Sequence, residues 1–160
     1  MLNIADLRAL VIRPTLQALA LYSPAAENLL VATHLQEAGT GELRQMGGGP
    51  ALGIYQMEPA THDDCWANWL AYRKDLAAKI EAFLAPGPSR HEQLVWNLAY
   101  ASALTRVRYA RAAEPLPADP DDAAALGAYW KAHYNTPQGA GLAETCTAQY
   151  LKFGAGSAPR

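Results

Sequence analysis

Residues 34–62 read HLQEAGTGELRQMGGGPALGIYQMEPATH. The stretch opens on the end of an apolar helical run, which carries one acidic residue, Glu37, two positions before Gly39. A glycine-rich loop follows, and a short apolar and aromatic segment then leads to Pro59, a residue suited to the first turn of the next helix. Because the apolar side chains before Glu37 favour burial, desolvation is predicted to raise the pKa of its carboxyl group. A raised pKa is what a general acid needs near neutral pH.

Three short elements resemble the lysozyme-like superfamily, in particular soluble lytic transglycosylases and the muramidase modules of phage tails. Residues 36–39 (QEAG) are similar to the element that carries the family's catalytic acid, with Ala38 where serine is usual. Residues 53–61 (GIYQMEPAT) resemble the family's glycan-cleft segment, with Tyr55 where methionine is common. Residues 134–139 (YNTPQG) are similar to the family's late Ala-Tyr-Asn-Ala-Gly motif. The three elements occur in the order that the family shows.

The resemblance implies a fold and a reaction. The expected fold is a mainly α-helical, lysozyme-like single domain over residues 1–160, with a glycine-rich loop or small hairpin beside the cleft and a frayed tail over residues 154–160. The expected reaction is cleavage of the β-1,4 bond between N-acetylmuramic acid and N-acetylglucosamine in peptidoglycan. Glu37 is then the general acid and base, and the residues expected to bind the glycan are Tyr55, Gln56, Tyr134 and Asn135.

The mechanism implied by the resemblance can require one carboxylate or two. Lytic transglycosylases use a single glutamate, because the substrate's own N-acetyl group and 6-hydroxyl replace a second carboxylate. A hydrolase needs another carboxylate to orient water. The candidates for that role are Glu42, Glu58, Asp63 and Asp64, of which the last three also suit the N-terminal region of a helix without any catalytic role.

Alternatives to the catalytic interpretation remain at two of the elements. On position alone, Glu37 can equally be a helix-terminal carboxylate exposed to water. Tyr134 and Asn135 can equally mark an ordinary helix end, since asparagine tolerates the left-handed backbone conformation. The rival function is therefore a structural virion component, in the tail or inside the particle, that keeps the fold as an interaction module without turnover.

Composition excludes several classes of protein. A hydrophobic fraction of 51% with 18% charged residues predicts one packed domain rather than a disordered chain. A net charge of −2 gives no reason to expect nucleic acid as a partner. Cys65 and Cys146 lack metal-ligand spacing, and the sequence does not decide whether they form a disulfide, although two free thiols are favoured in a chain with so few cysteines. Neither a metal nor another cofactor is expected.

No apolar run is long enough to span a bilayer, and no secretory signal pattern is present. A wall-cleaving enzyme without such a signal is expected either on the virion or in the host cytoplasm before delivery to the wall. Its expected partners are peptidoglycan strands and other virion proteins.

Hydrophobic periodicity predicts helices throughout and no clear strand. The basic residues Arg106, Arg108 and Arg111 are interpreted as a solvated helix face. The tryptophans are expected in the core, with one able to stack on a sugar at the cleft edge, and His34, His62, His91 and His133 are expected to be structural. Seven helical regions are predicted. The first covers residues 3–22 in two pieces, the second runs from the cap at Ser23 to Glu37, and the third begins at Pro59. Further helices are predicted over residues 73–84, over residues 90–112 without a break, after a cap at Asp119 or Asp121, and over residues 142–153.

Overall fold

The computed structural model describes residues 2–39, 41–135 and 139–156, and within these ranges the chain is mainly α-helical without a strand. None of the described helices is both long and apolar enough to cross a membrane. Short π-helical segments cover Leu7–Ile12, Lys131–Asn135 and Tyr150–Gly154. The α-helices are Ile4–Asp6 (α1), Arg13–Ala18 (α2), Pro24–Ala38 (α3), Pro59–Asn68 (α4), Lys74–Glu81 (α5), Arg90–Trp96 (α6), Leu98–Ala110 (α7), Ala123–Trp130 (α8) and Ala143–Gln149 (α9).

Helix α3 lies at the centre of one of the two hydrophobic clusters that form the core. It begins as the sequence predicts, because the Ser23 hydroxyl accepts a hydrogen bond from the Ala26 amide and Pro24 occupies the first turn. Apolar residues on several faces of the helix are buried, and α7, α8 and α9 all pack against it. The helix ends at Ala38, one turn after His34, so Glu37 lies in its last turn.

A buried ion cluster attaches both ends of the chain to α3. Glu27 is 4% exposed and accepts hydrogen bonds from Arg8 at 3.1 Å and from Arg13 at 2.9 Å. Arg8 also donates to the carbonyl oxygen of Gly154 at 3.1 Å. Such a charge is tolerated away from water only when it is paired and hydrogen-bonded, as it is here. The predicted fraying from residue 154 is therefore wrong at Gly154, which is buried, and residues 157–160 lie outside the described residues.

The predicted helix over residues 90–112 is two helices, separated at Asn97. The capping box of Ser89 and Glu92 begins α6 as predicted. Asn97 has an extended ψ of 90°, and its side chain accepts a hydrogen bond from the Tyr100 amide, which begins α7. The side-chain Nδ2 of Asn97 also donates to the Phe83 carbonyl oxygen at 2.8 Å, so a contact with a distant segment fixes the break.

Two further predictions about these helices need correction. Asp122, and neither Asp119 nor Asp121, caps α8 by accepting from the Ala125 amide, while Asp119 accepts instead from the amide of Asp121.

Of the four tryptophans, Trp130 is fully buried, whereas Trp96 is 49% exposed. The other two are partly buried under arginines, with Arg90 over Trp66 and Arg73 over Trp69. Cys65 and Cys146 are both buried free thiols, as predicted.

The glycine-rich loop folds into a small hairpin-like turn held by isolated antiparallel bridges. Leu52 pairs with Arg44 on one side and with Met57 on the other. Gly53 lies between these partners with φ at +71°, and a Cβ atom there would be 1.9 Å from the carbonyl oxygen of Leu94. Only glycine fits this position, because the backbone is left-handed and the start of the cleft segment lies directly against α6.

We expect Gly53→Ala to lower the free energy of unfolding by roughly 2–5 kcal/mol, since it adds a steric clash to an unfavourable backbone conformation. Gly48→Ala is the matched control, because Gly48 also has a positive φ, of +78°, but nothing lies within 4 Å of its added Cβ. We expect that control to lose only about 1–2 kcal/mol. Urea denaturation followed by circular dichroism measures both, and equal losses would contradict the packing argument.

Candidate functional site

A cavity of about 330 Å³ brings together most of the residues that the sequence nominated. Its position is set by the end of α3, the turn after Gly53, the start of α4, the middle of α7 and the segment Lys131–Asn135. Apart from backbone atoms, polar and ionisable side chains dominate the wall. The lining residues are Glu37, Gln56, Glu58, Thr61, Arg108, Tyr134 and Asn135.

Glu37 is the carboxyl group in this cavity whose pKa the fold raises. Its carboxylate is partly buried, and burial raises its pKa from 4.5 to about 7. The negative end of the α3 dipole acts in the same direction, because Glu37 lies in the last turn. Trp130 donates a hydrogen bond to Oε1 of Glu37 at 3.1 Å and Arg108 contributes positive charge, and both favour the ionised form without cancelling the effect of burial. Glu37 can therefore both donate and accept a proton near pH 7.

Gln56 forms the next part of the wall in a strained conformation. Its φ of +47° is left-handed, which is uncommon for a residue with a side chain. Its backbone amide and its side-chain Nε2 both donate to the Gly53 carbonyl oxygen, at 3.0 and 2.9 Å. Backbone strain of this kind is concentrated at functional sites, where surrounding contacts hold the residue in place.

Tyr55 does not lie at the surface of the cavity, contrary to the expectation that it stacks on a sugar. Its side chain is 1% exposed and its hydroxyl is hydrogen-bonded to Ser102 at 2.9 Å. The reason is the turn over residues 53–56, in which Tyr55 packs into the core while Gln56, with its left-handed backbone, lines the cavity. The Tyr55 carbonyl accepts a hydrogen bond from the Tyr134 hydroxyl at 2.7 Å, so the residue supports the site from beneath.

Tyr134 and Asn135 line the same cavity as Glu37. The Arg108 guanidinium stacks 4.1 Å above the Tyr134 ring and donates a hydrogen bond to the Tyr134 carbonyl. Lys131 donates to the Asn135 side-chain oxygen at 2.7 Å and to the Gly139 carbonyl at 2.6 Å. The centre of the predicted third element, residues 136–138, lies outside the described residues.

The candidate second carboxylates are separated by the fold. Glu58 lines the Glu37 cavity and is exposed. Glu42 lies at a different, mostly apolar pocket that includes His34 and Trp96. Asp63 is hydrogen-bonded to two histidines, and Asp64 pairs with Arg111 at 2.5 Å. Among the described residues, Glu58 is thus the one candidate that shares the cavity of Glu37.

Sequence reasoning missed Thr61, Arg108 and Trp130 as parts of the site. Thr61 belongs to the quoted segment 53–61, so its position near Gln56 could have been predicted from the sequence. The interpretation of the arginines as a solvated face is wrong, because Arg106 donates to the Leu21 carbonyl at 3.1 Å and Arg108 turns to Tyr134. No local signal connects Trp130 with Glu37, which lies 93 residues earlier in the chain.

No protein-family model, curated protein sequence or solved structure matches this chain. The resemblance to lysozyme-like enzymes therefore depends on the three quoted elements.

We expect Glu37→Gln to stabilise the protein above pH 7. The pKa of Glu37 is about 7 in the folded state and 4.5 ordinarily, so its ionisation lowers stability as the pH rises from 4.5 to about 7, and the whole loss remains above pH 7. The variant should be more stable than the wild type by roughly 1–3 kcal/mol at pH 8 and nearly equal to it at pH 4. Chemical denaturation at both pH values measures the difference.

Glu58→Gln is the matched control, because its carboxylate is exposed at the same cavity and stays hydrated. We expect no comparable gain at pH 8. A gain of equal size in both variants would indicate a general effect of net charge rather than desolvation of Glu37.

Proposed function

We propose that this protein cleaves the β-1,4 bond between N-acetylmuramic acid and N-acetylglucosamine in peptidoglycan, with Glu37 as general acid and base. The observation that carries the proposal is one partly buried carboxylic acid with a pKa of about 7 in a polar cavity. Gln56, Tyr134 and Asn135 of the two other family-like elements line that same cavity. That residues distant in the sequence line one cavity with Glu37 supports the proposal.

The proposed reaction begins with protonated Glu37. Its proton passes to the glycosidic oxygen while the bond from that oxygen to C1 of the muramic acid breaks, and the charge that develops on the sugar is stabilised by the substrate's N-acetyl group. The ionised Glu37 is then favoured by the Trp130 N–H and by the charge of Arg108. In the transglycosylase route, the 6-hydroxyl attacks C1 and returns its proton to Glu37, which restores the acid.

The lining offers partners for an amino sugar. The amide side chains of Gln56 and Asn135 can donate and accept hydrogen bonds, and Thr61 adds a hydroxyl. The volume of about 330 Å³ lies at the small end of ligand pockets, which suits one enclosed sugar unit of a strand that continues along the surface. The Tyr55 ring is buried and takes no part in stacking.

Glu58 decides between two versions of the reaction. If it orients water, the product is a reducing sugar and two carboxylates are required. If the 6-hydroxyl of the substrate attacks, the product is a 1,6-anhydro sugar and Glu37 is sufficient. We favour the one-carboxylate route, because the pKa of Glu37 at about 7 suits a single group that alternates between acid and base.

The second candidate is a structural virion component without turnover. Two observations favour it: Ala38 stands where relatives have serine, and Lys131 binds the Asn135 side-chain oxygen at 2.7 Å. The second contact occupies part of the polar group that a substrate would need. In either case we propose a protein of phage or prophage origin. It would be located on the virion, or in the host cytoplasm before delivery to the wall.

We expect the purified protein to clear suspensions of peptidoglycan, and Glu37→Gln to lower the rate at least about 100-fold, as loss of a general acid does. Turbidity measured at pH 6 with walls from several hosts tests this, with circular dichroism to show that the variant is folded. Equal rates in both proteins would exclude Glu37 as the acid. Absence of clearing by the wild type on every wall would favour the structural component.

Glu58→Gln separates the two chemical routes, and its outcome is independent of whether Glu37 is the acid. We expect it to retain activity within about tenfold and to release 1,6-anhydro muropeptides, identified by mass spectrometry. A loss as large as that of Glu37→Gln, with reducing products from the wild type, would establish hydrolysis with two carboxylates.

A further inference from the structure

A second cluster of titratable side chains lies in a groove of about 830 Å³ that shares no lining residue with the Glu37 cavity. His62 and Asp63 come from α4, and His91 comes from the first turn of α6. The Asp63 Oδ1 atom is 2.7 Å from Nδ1 of His62 and 2.7 Å from Nε2 of His91. All three groups offer a ligand atom, and these atoms lie within 4.8 Å of one another.

The inner histidine is held in place by hydrogen bonds behind it. His62 is 2% exposed, and its Nε2 atom is 2.7 Å from the Tyr100 hydroxyl. The Trp66 N–H donates to the same hydroxyl at 3.0 Å. Histidines that bind metals typically have the second ring nitrogen fixed in this way, because it sets both the tautomer and the ring orientation. In this arrangement Nδ1–H donates to the Asp63 carboxylate and the Tyr100 hydroxyl donates to Nε2. An ion at Nδ1 would displace that proton, and Nε2–H would then donate to Tyr100.

We propose that His62, Asp63 and His91 bind a divalent transition-metal ion of the zinc class, with a coordination position open to the groove. Two imidazole nitrogens and one carboxylate form a donor set suited to zinc, and three protein ligands leave a place for water or another ligand. The sequence does not predict this site, because the spacing of the three residues along the chain matches no recognisable metal-binding pattern.

The ligand atoms must move to accept the ion, because the two histidine nitrogens, which lie within 4.8 Å of each other, have to reach the spacing that a tetrahedral ion sets. Zinc bonds to nitrogen and oxygen are about 2.0–2.2 Å long, so ligand atoms around a tetrahedral ion lie about 3.3 Å apart. The two contacts of 2.7 Å must therefore open by about half an ångström. The outer ligands can move, because the side chains of Asp63 and His91 are 61% and 41% exposed, while His62 stays fixed.

The surrounding charges oppose one another. Arg90 lies over the Trp66 ring at 3.9 Å and Lys74 lines the same groove, and both repel a cation. Glu81 accepts from Arg90 at 2.5 Å, which offsets one of these charges, and Asp63 supplies a negative ligand. Burial also lowers the pKa of His62 and favours the neutral ring that a metal requires. The cluster is thus suited to an ion held by direct bonds rather than by long-range attraction.

Titration calorimetry with zinc chloride at pH 7.5 tests the proposal on the full chain, freed of any histidine tag and stripped with a chelator. We expect one zinc ion per chain. We expect His91→Ala and Asp63→Asn each to raise the dissociation constant for zinc at least about tenfold. The exposed positions of both residues make loss of folding improbable as an explanation, and circular dichroism checks it. Cobalt substitution should give the intense visible bands of a tetrahedral ion in the wild type alone.

The matched control is His133→Ala. His133 also faces a carboxylate, Glu114 at 3.7 Å, but no second histidine is part of that pair. We expect the control to bind zinc as the wild type does. The proposal is overturned if the wild type binds no zinc, or if the ligand variants bind as tightly as the control, in which case the cluster is a hydrogen-bonded contact between α4 and α6. Wall clearing by Glu37 does not enter either outcome.

Discussion

The burial of helix α3 is the constraint on which the rest of the structure depends. A helix surrounded by protein on most of its faces must supply apolar side chains nearly all around, and every polar group on it needs a partner. Glu27 has two arginines, Thr33 shares a hydrogen bond of 2.7 Å with the Tyr109 hydroxyl, and His34 donates from Nδ1 to the Ile54 carbonyl at 3.1 Å. These contacts draw the N-terminal helices, α7 and the turn after Gly53 against one helix.

Of the two carboxylates on α3, Glu37 is the one whose charge is compensated less well. It has the Trp130 N–H but, among the residues that the structure describes, no cation in direct contact, and so the cost of desolvation appears as a pKa of about 7. Glu27, by contrast, is paired with two arginines, which lower its pKa. Such a carboxylate is ionised near neutral pH and cannot serve as an acid there. The same helix thus shows both outcomes of burying a carboxylate, and the difference lies in the number of cationic partners.

The cavity around Glu37 is held open by contacts that lie behind its wall. Tyr134 is fixed by its hydroxyl on the Tyr55 carbonyl and by Arg108 above its ring. The turn that presents Gln56 depends on Gly53 lying against the Leu94 carbonyl of α6. Helix α4 then leads from Thr61 in this cavity directly to His62 in the groove of the histidine cluster. Two chemically different sites are in this way attached to a single helix N-terminal region.

Caps and hydrophobic periodicity act within a few residues, so four features could be predicted without the fold: the mainly helical class, the start of α3 at Ser23, the capping box before α6 and the position of Glu37 at the end of an apolar helix. Tertiary structure alone decided the break at Asn97, the inward turn of Tyr55, the approach of Trp130 and Arg108 to the cavity, and the meeting of His62 with His91. Each of these depends on a partner that is remote in the chain, such as the Phe83 carbonyl for Asn97 or Ser102 for Tyr55. Local propensity contains no information about such partners, since their energies arise only when the segments pack together.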